Sequence, residues 1–298
     1  MQFNQSISSS TKSPNNIPWY VTIIIAFALF FVGQILASLI LVPLFLMVYP
    51  TATLDDLTTE PLETIFSLLT FPFVLLLCLL IHRFIYRHPM HALGFFKHHV
   101  IQRYLVGMVL GMTMISIIYF INLFAGAMHS TLASNINLGL ICLLIFLFMI
   151  QGLTEEVVAR GFLMNKISHQ LGVPFGIIIN SIFFSFLHFL NPNVSLLSFI
   201  NLFLAGVVFS LLFYWSDNIW LTGAAHSFWN ITLGVLIGNE VSGQRLSATL
   251  LVTESNDTLS LMNGGHFGLE GGLVVTVVSL CIICLLLKLC LNKYHQTN

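Results

Sequence analysis

Residues 137–165 read NLGLICLLIFLFMIQGLTEEVVARGFLMN, and how this stretch is taken decides the fold. From Leu138 to Ile150 it is almost wholly apolar. Glu155, Glu156 and Arg160 then arrive before the apolar character ends. A hydropathy profile alone would stop the helix at the glutamates. We read it as one membrane helix that runs through them. Ionisable side chains in lipid cost about 2.5–3.5 kcal/mol each on insertion scales, so this reading obliges the charges to have a purpose.

The rest of the chain has the same character. Of 298 residues, 10 are Lys or Arg and 11 are Asp or Glu, so 7% are charged. An ordinary soluble domain carries roughly 25%. Hydrophobic residues reach 57%, with 27 phenylalanines, and the mean hydropathy is +0.95. A soluble fold of this size has too little charge here to cover its surface. A soluble enzyme and a disordered chain are excluded on these grounds. So is a nucleic-acid partner, because the net charge is −1 and offers a polyanion no basic face. A polytopic membrane protein remains.

A bilayer core of about 30 Å takes roughly 20 apolar residues per helix. On that criterion the fold class is all-α, a polytopic bundle of about eight transmembrane helices near 19–48, 64–86, 104–127, 137–165, 173–191, 195–215, 219–238 and 270–291. No ten-residue dyad pattern suggests a barrel, and open sheet cannot lie in lipid. The chain divides into a polar tail (1–16), two helices with a basic cytoplasmic segment (17–103), a core (104–292) and a short C-terminal tail (293–298). Nothing marks a cleavable signal: the first apolar run is far too long for one.

Basic residues set the orientation. With both termini cytoplasmic, Lys12, Arg83, Arg87, Lys97, Arg103, Lys166, Lys288 and Lys293 fall on the inner side, and Arg245 falls outside. The outer loops then hold Asp55, Asp56, Glu60, Glu63, Glu240, Glu254, Asp257 and Glu270. The segment 87–103, with His88, His91, His98 and His99, reads as interfacial rather than metal-binding. The glycine-rich loop 239–269 is expected to pack close to the bundle or re-enter it. Cys281 and Cys284 form C-x-x-C in an apolar helix, where plain packing is the preferred role. The same holds for Cys290, a palmitoylation candidate.

Three clusters interrupt the apolar spans: Glu155-Glu156-Val157-Val158-Ala159-Arg160, Phe184-Ser185-Phe186-Leu187-His188 and His226-Ser227-Phe228-Trp229-Asn230. Glu155 lies 11 residues before Lys166, about 16 Å at helical rise. His226 lies 9 residues after Asp217, about 13 Å, and His188 14 residues after Pro174, about 21 Å. All reach the middle of the apolar layer, as groups lining one hydrated cavity would. Spacing assigns faces: His226 and Asn230 are i and i+4, and so are Glu156 and Arg160, an internal ion pair. Glu155 points about 100° away from Glu156 and is left for chemistry. A carboxylate to take a proton from water, a histidine to position that water, and imidazole and amide donors for the oxyanion are what peptide hydrolysis needs. No G-x-S-x-G or H-E-x-x-H is present. The plainer alternative, interhelical hydrogen bonds, accounts for each His or Asn singly but poorly for adjacent glutamates.

In this order, Glu-Glu-x-x-x-Arg, Phe-x-x-x-His and His-x-x-x-Asn resemble the CAAX protease and bacteriocin-processing (Abi) family of intramembrane endopeptidases. The resemblance covers roughly residues 100–290. It implies an eight-helix bundle with a conical cavity open to the cytoplasmic side and to lipid. It also implies that Glu155 activates water with His188 assisting, that His226 and Asn230 form the oxyanion site, and that Glu156 and Arg160 support the first motif. The family has been described both as metalloprotease and as glutamate-dependent. Glu155, His188 and His226 are the residues that could hold Zn²⁺, and the metal-independent mechanism is preferred. The implied partners are the lipid bilayer and a membrane-bound or lipidated peptide, in a bacterial cell membrane. Two alternatives stand beside this reading: a non-catalytic immunity or scaffold protein of the same fold, and a proton- or ion-coupled transporter.

Overall fold

The computed structural model describes residues 2–10 and 17–295, and the chain is 75% helical. The helices are α1 (Gln5–Ser9), α2 (Trp19–Val48), α3 (Leu62–Ile85), α4 (Val100–Phe124), α5 (Leu138–Leu171), α6 (Val173–Leu187), α7 (Leu196–Ser216), α8 (Ile219–Asn230, prolonged by wider π turns over Ile231–Ile237) and α9 (Leu273–His295). Among the described residues, six helices are long and apolar enough to cross a bilayer: α2, α3, α4, α5, α7 and α9. Each of the eight apolar runs expected from the sequence is helical. However, α6 has 15 residues, about 22 Å, and α8 is likewise not among the six.

Long-range hydrogen bonds define two ends of the bundle. At one, the amide of Ile219 donates to Gly94 at 3.0 Å. There too Asn165 donates to the carbonyl of Ala92 at 2.9 Å, Gln170 to that of Ile17 at 3.0 Å, and Lys293 to that of Trp215 at 2.7 Å. This is the termini end. At the other end β1 (Met128–Leu132) pairs antiparallel with β2 (Leu251–Ser255), Met128 opposite Ser255. Asn201 there donates to the carbonyls of Glu270 and Gly272, both at 2.9 Å. We call this the ribbon end. Consecutive helices from α2 to α9 therefore alternate in direction.

The burial pattern is centred on α5. Every residue from Thr154 to Ser168 is buried, while α2 and α4 present Phe31, Met47, Ile101 and Phe124 outward. The three charges of the first cluster thus sit inside the protein. They face neighbouring helices rather than acyl chains, which is how intramembrane charge is tolerated.

The connections pack more tightly than their polarity suggests. Residues 2–10 include α1, whose start is capped by Asn4 (Ile7 N–H to Oδ1, 3.0 Å). The Asp217 carboxylate accepts from the amides of Gln5 at 3.0 Å and Ser6 at 3.4 Å, and Ile7 is fully buried. Lys12 lies outside the described residues. Between α3 and α4, Ala92, Leu93 and His88 are buried while His98 and His99 stack on each other in the open. The histidines of this segment therefore do not converge. The glycine-rich loop packs against the bundle as expected, with Phe267 and Leu269 buried. Gly264 and Gly268 hold φ of +87° and +86°, values that only glycine adopts without strain.

Candidate active site

The site forms where α5 meets α8. A Cβ at Gly152 would lie 2.6 Å from the backbone nitrogen and Oγ of Ser227. Only glycine lets the two backbones come this close, as small residues do in membrane helix pairs. Ser227 secures the contact by donating to the carbonyl of Met149 at 3.1 Å. This closeness sets Gln151, Glu155 and Glu156 of α5 opposite His226 and Asn230 of α8.

Arg160 Nη1 donates to Glu156 Oε1 at 2.7 Å, the ion pair that the i, i+4 spacing predicts. Both side chains are fully buried. The guanidinium also donates from Nη2 to the carbonyl of Gly206 at 3.2 Å. It lies over the rings of Phe184 (4.6 Å to the centroid) and Phe209 (5.7 Å), so the Phe of the second motif shields this cation. Wide π turns run from Val157 to Met164, directly after the paired glutamates. Another set follows Asn230. Such turns are frequent at functional sites.

His226 touches both glutamates. Its Nδ1 is 2.8 Å from Glu156 Oε1, and its Nε2 is 3.7 Å from Glu155 Oε2. A carboxylate can only accept, so Nδ1 carries a proton and donates, which turns Nε2 toward Glu155. Stacking on Phe209, with centroids 4.8 Å apart, holds the ring plane. Asn230 takes a different partner: its Nδ2 donates to Gln151 Oε1 at 2.9 Å, and Gln151 Nε2 donates to Glu155 Oε1 at 2.6 Å. Glu155 Oε2, Glu156 Oε2 and Arg160 Nε are buried with no hydrogen-bond partner. His188 closes α6, and its Nδ1 donates to the carbonyl of Phe184 at 2.9 Å; the acceptor is a carbonyl, so Nε2 is the nitrogen without the proton in the neutral ring.

Glu155, His188, His226 and Asn230 line one cavity of about 270 Å³. Glu156 and Arg160 lie behind it. The cavity also takes Gln34 from α2, Thr64 and Ser67 from α3, Phe148 and Gln151 from α5, and Ser242, Gln244 and Glu270 from the connection between α8 and α9. None of these eight was read as a site residue from the sequence, and Gln151 and Glu270 are two that bond to the cavity's chemistry or its walls. Gln151 stands four residues before Glu155, a spacing that could have revealed it. Glu270 accepts from Trp229 Nε1 at 2.9 Å and from the Ser242 amide at 2.7 Å. Its partners lie 41 and 28 residues away, so no local pattern could have marked it.

The structure does not gather Glu155, His188 and His226 into a metal-ligand set. Among the described residues no group of three or more His, Cys, Asp and Glu is gathered so as to hold an ion.

No curated protein and no solved structure matches the chain. A family model does, over a shorter stretch than the motif resemblance suggested. Residues 137–232, about a third of the chain, match the family described as Type II CAAX prenyl endopeptidase Rce1-like. This stretch holds all three motifs and is Rce1-like, in keeping with the CAAX protease and Abi resemblance read from them.

Proposed function

We propose that this chain is an intramembrane endopeptidase in which Glu155 activates the attacking water. One observation carries the proposal. Glu155 Oε2 is buried without a partner in a residue that lines the cavity, and it faces His226 Nε2 at 3.7 Å. That separation is too long for a hydrogen bond and suits two groups that share one water.

The roles follow from the donors and acceptors at hand. Gln151 holds Glu155 Oε1, leaving Oε2 to take a proton from water while the water oxygen attacks the scissile carbonyl carbon. His188, with its Nδ1–H engaged by Phe184, helps to orient that water through Nε2. The carbonyl electron pair moves to oxygen. The second N–H of Asn230 and His226 Nε2–H stabilise the oxyanion. Donation from Nε2 calls for a proton on that nitrogen as well, since the Nδ1 proton is already given to Glu156. When the intermediate collapses, the leaving amine takes the proton from Glu155. Glu156 and Arg160 are positioning residues that hold the His226 ring.

The substrate is a membrane-bound or lipidated peptide, in keeping with the prenyl endopeptidase description of the matched family. The test is turnover of a membrane peptide in detergent or liposomes. Glu155→Ala should lower it by about 10²–10⁴-fold, the range that general base catalysis supplies. Unchanged turnover would overturn the proposal.

A further inference from the structure

We infer that the cavity is loaded from the ribbon end of the bundle, at the non-cytoplasmic face of the membrane, and takes a peptide segment that carries positive charge. This rests on the proteolytic reading. It adds the side from which the substrate comes and the charge it bears.

The first observation is where the walls come from. Thr64 and Ser67 lie in the first turns of α3, which begins at the ribbon end, and Leu202 and Ala205 lie in the ribbon-end half of α7. Ser242 and Gln244 belong to the ribbon-end connection itself. No wall residue comes from the segments joining helices at the termini end. The exposed members of the lining include Gln34, Ser67 and Gln244, so the rim is at the ribbon end and along the neighbouring flank of α2 and α3. Toward the termini end the floor is shut. Arg160 is fully buried beneath Phe184 and Phe209, and α5 stays buried through Ser168.

The second observation is the charge at the two ends. Arg83, Arg87, Lys97, Arg103, Lys166, Lys288 and Lys293 belong to the termini end. The ribbon end has Arg245 alone, and it lies 3.7 Å from Glu240. Cytoplasmic segments carry the excess of Lys and Arg, so the termini end is cytoplasmic and the cavity opens to the other side. The resemblance to the CAAX protease and Abi family implied a cytoplasmic opening; with this charge distribution, that opening and cytoplasmic termini are incompatible.

The third observation is the charge of the rim. Glu270 lines the cavity, and Glu60 accepts from the hydroxyl of Thr64, a wall residue. Glu63 and Glu240 adjoin Thr64 and Val241, both in the lining, while Arg245 adjoins Gln244 and pairs with Glu240, so carboxylates outnumber cations at the rim. A cleft in which one sign of charge predominates between low-dielectric walls concentrates ligands of the other sign.

Sidedness can be tested without turnover. Gln244→Cys and Lys97→Cys variants of the full chain are expressed in a bacterial host. Intact cells are treated with a membrane-impermeant maleimide, and adducts at residues 244 and 97 are read by peptide mass spectrometry, which separates them from the native cysteines. Residue 244 should be labelled before lysis and residue 97 only after it. Labelling of 97 before lysis, or of 244 only after it, would overturn the inference and leave the proteolytic reading standing. Charge is tested on purified protein with two membrane-anchored peptides that differ only in three Lys or three Glu beside the cleaved segment. The Lys peptide should turn over about tenfold faster, with the gap closing as salt screens it. Equal or faster turnover of the Glu peptide would overturn the charge assignment. Cleavage of neither would count against the proteolytic reading, while the labelling result still decides the side.

Discussion

His226 and Glu156 stand 70 residues apart in the chain and meet at 2.8 Å, Nδ1 to Oε1. The same carboxylate oxygen takes Arg160 Nη1 at 2.7 Å. Glu156 thus joins the first and third motifs. It neutralises a fully buried guanidinium and also sets which nitrogen of His226 faces Glu155. The two adjacent glutamates have separate work, and their substitutions should fail in separate ways.

Glu156→Gln should destabilise the fold. Removing one partner of a buried pair leaves an uncompensated charge and costs about 3–5 kcal/mol. Glu155→Gln removes a carboxylate with one partnerless oxygen, so its thermal midpoint should stay close to wild type while turnover is lost. Thermal unfolding in detergent, run beside the peptide assay, checks both. A stable but inactive Glu156→Gln would show that Glu156 is not the structural member of the pair.

Gln151 is a positioning residue for Glu155. Gln151→Leu removes a hydrogen bond to a charged group, worth about 1.5–3 kcal/mol, and turnover should fall roughly tenfold to a hundredfold. The loss should sit in kcat with KM little changed, since the amide acts on the base and not on the peptide. Gln151→Glu, which places a third carboxylate on Glu155 and Asn230, should not rescue.

Gly111 holds α4 against α8. A Cβ there would lie 2.0 Å from the carbonyl oxygen of Ala225, the residue before His226. Gly111→Leu forces the helices apart at an overpacking cost of about 1–3 kcal/mol or more. A lowered thermal midpoint together with reduced turnover is the expected result, because the displaced segment carries His226.

His88 gives stability a pH dependence. Burial, together with His82, Lys166 and His169 nearby, holds its imidazole down at about 4, from an ordinary 6.5. Between those values the unfolded chain binds a proton that the folded chain does not. Stability from this group is therefore complete above pH 6.5 and is lost as pH falls toward 4. The thermal midpoint should drop between about pH 7 and about pH 5, and His88→Gln should flatten the drop. An unchanged pH profile in the variant would place the dependence on another group.

Chelation should leave turnover intact. Among the described residues no three His, Cys, Asp or Glu side chains gather to hold an ion, and the proposed chemistry routes no step through one. Peptide turnover before and after dialysis against a chelator, with elemental analysis of the same sample, measures this. Loss of activity that zinc restores would return Glu155, His188 and His226 to the role of ligands.

The amino-acid sequence by itself determined the helical membrane character, the approximate helix limits, the Glu156–Arg160 pair and the level at which the three clusters meet. Each depends on hydropathy over a window or on spacing within a turn or two, so each is written locally. The pairing of β1 with β2, the bond between His226 and Glu156, the relay from Asn230 through Gln151 to Glu155, and Glu270 at the rim were decided only by the tertiary structure. All of these except the Gln151–Glu155 link join residues on different elements, and the approach of α5 to α8 at Gly152 and Ser227 brings the central ones into reach. The direction in which the cavity opens is of the same kind. It follows from which halves of six helices supply the walls, a property of their packing that no single segment contains.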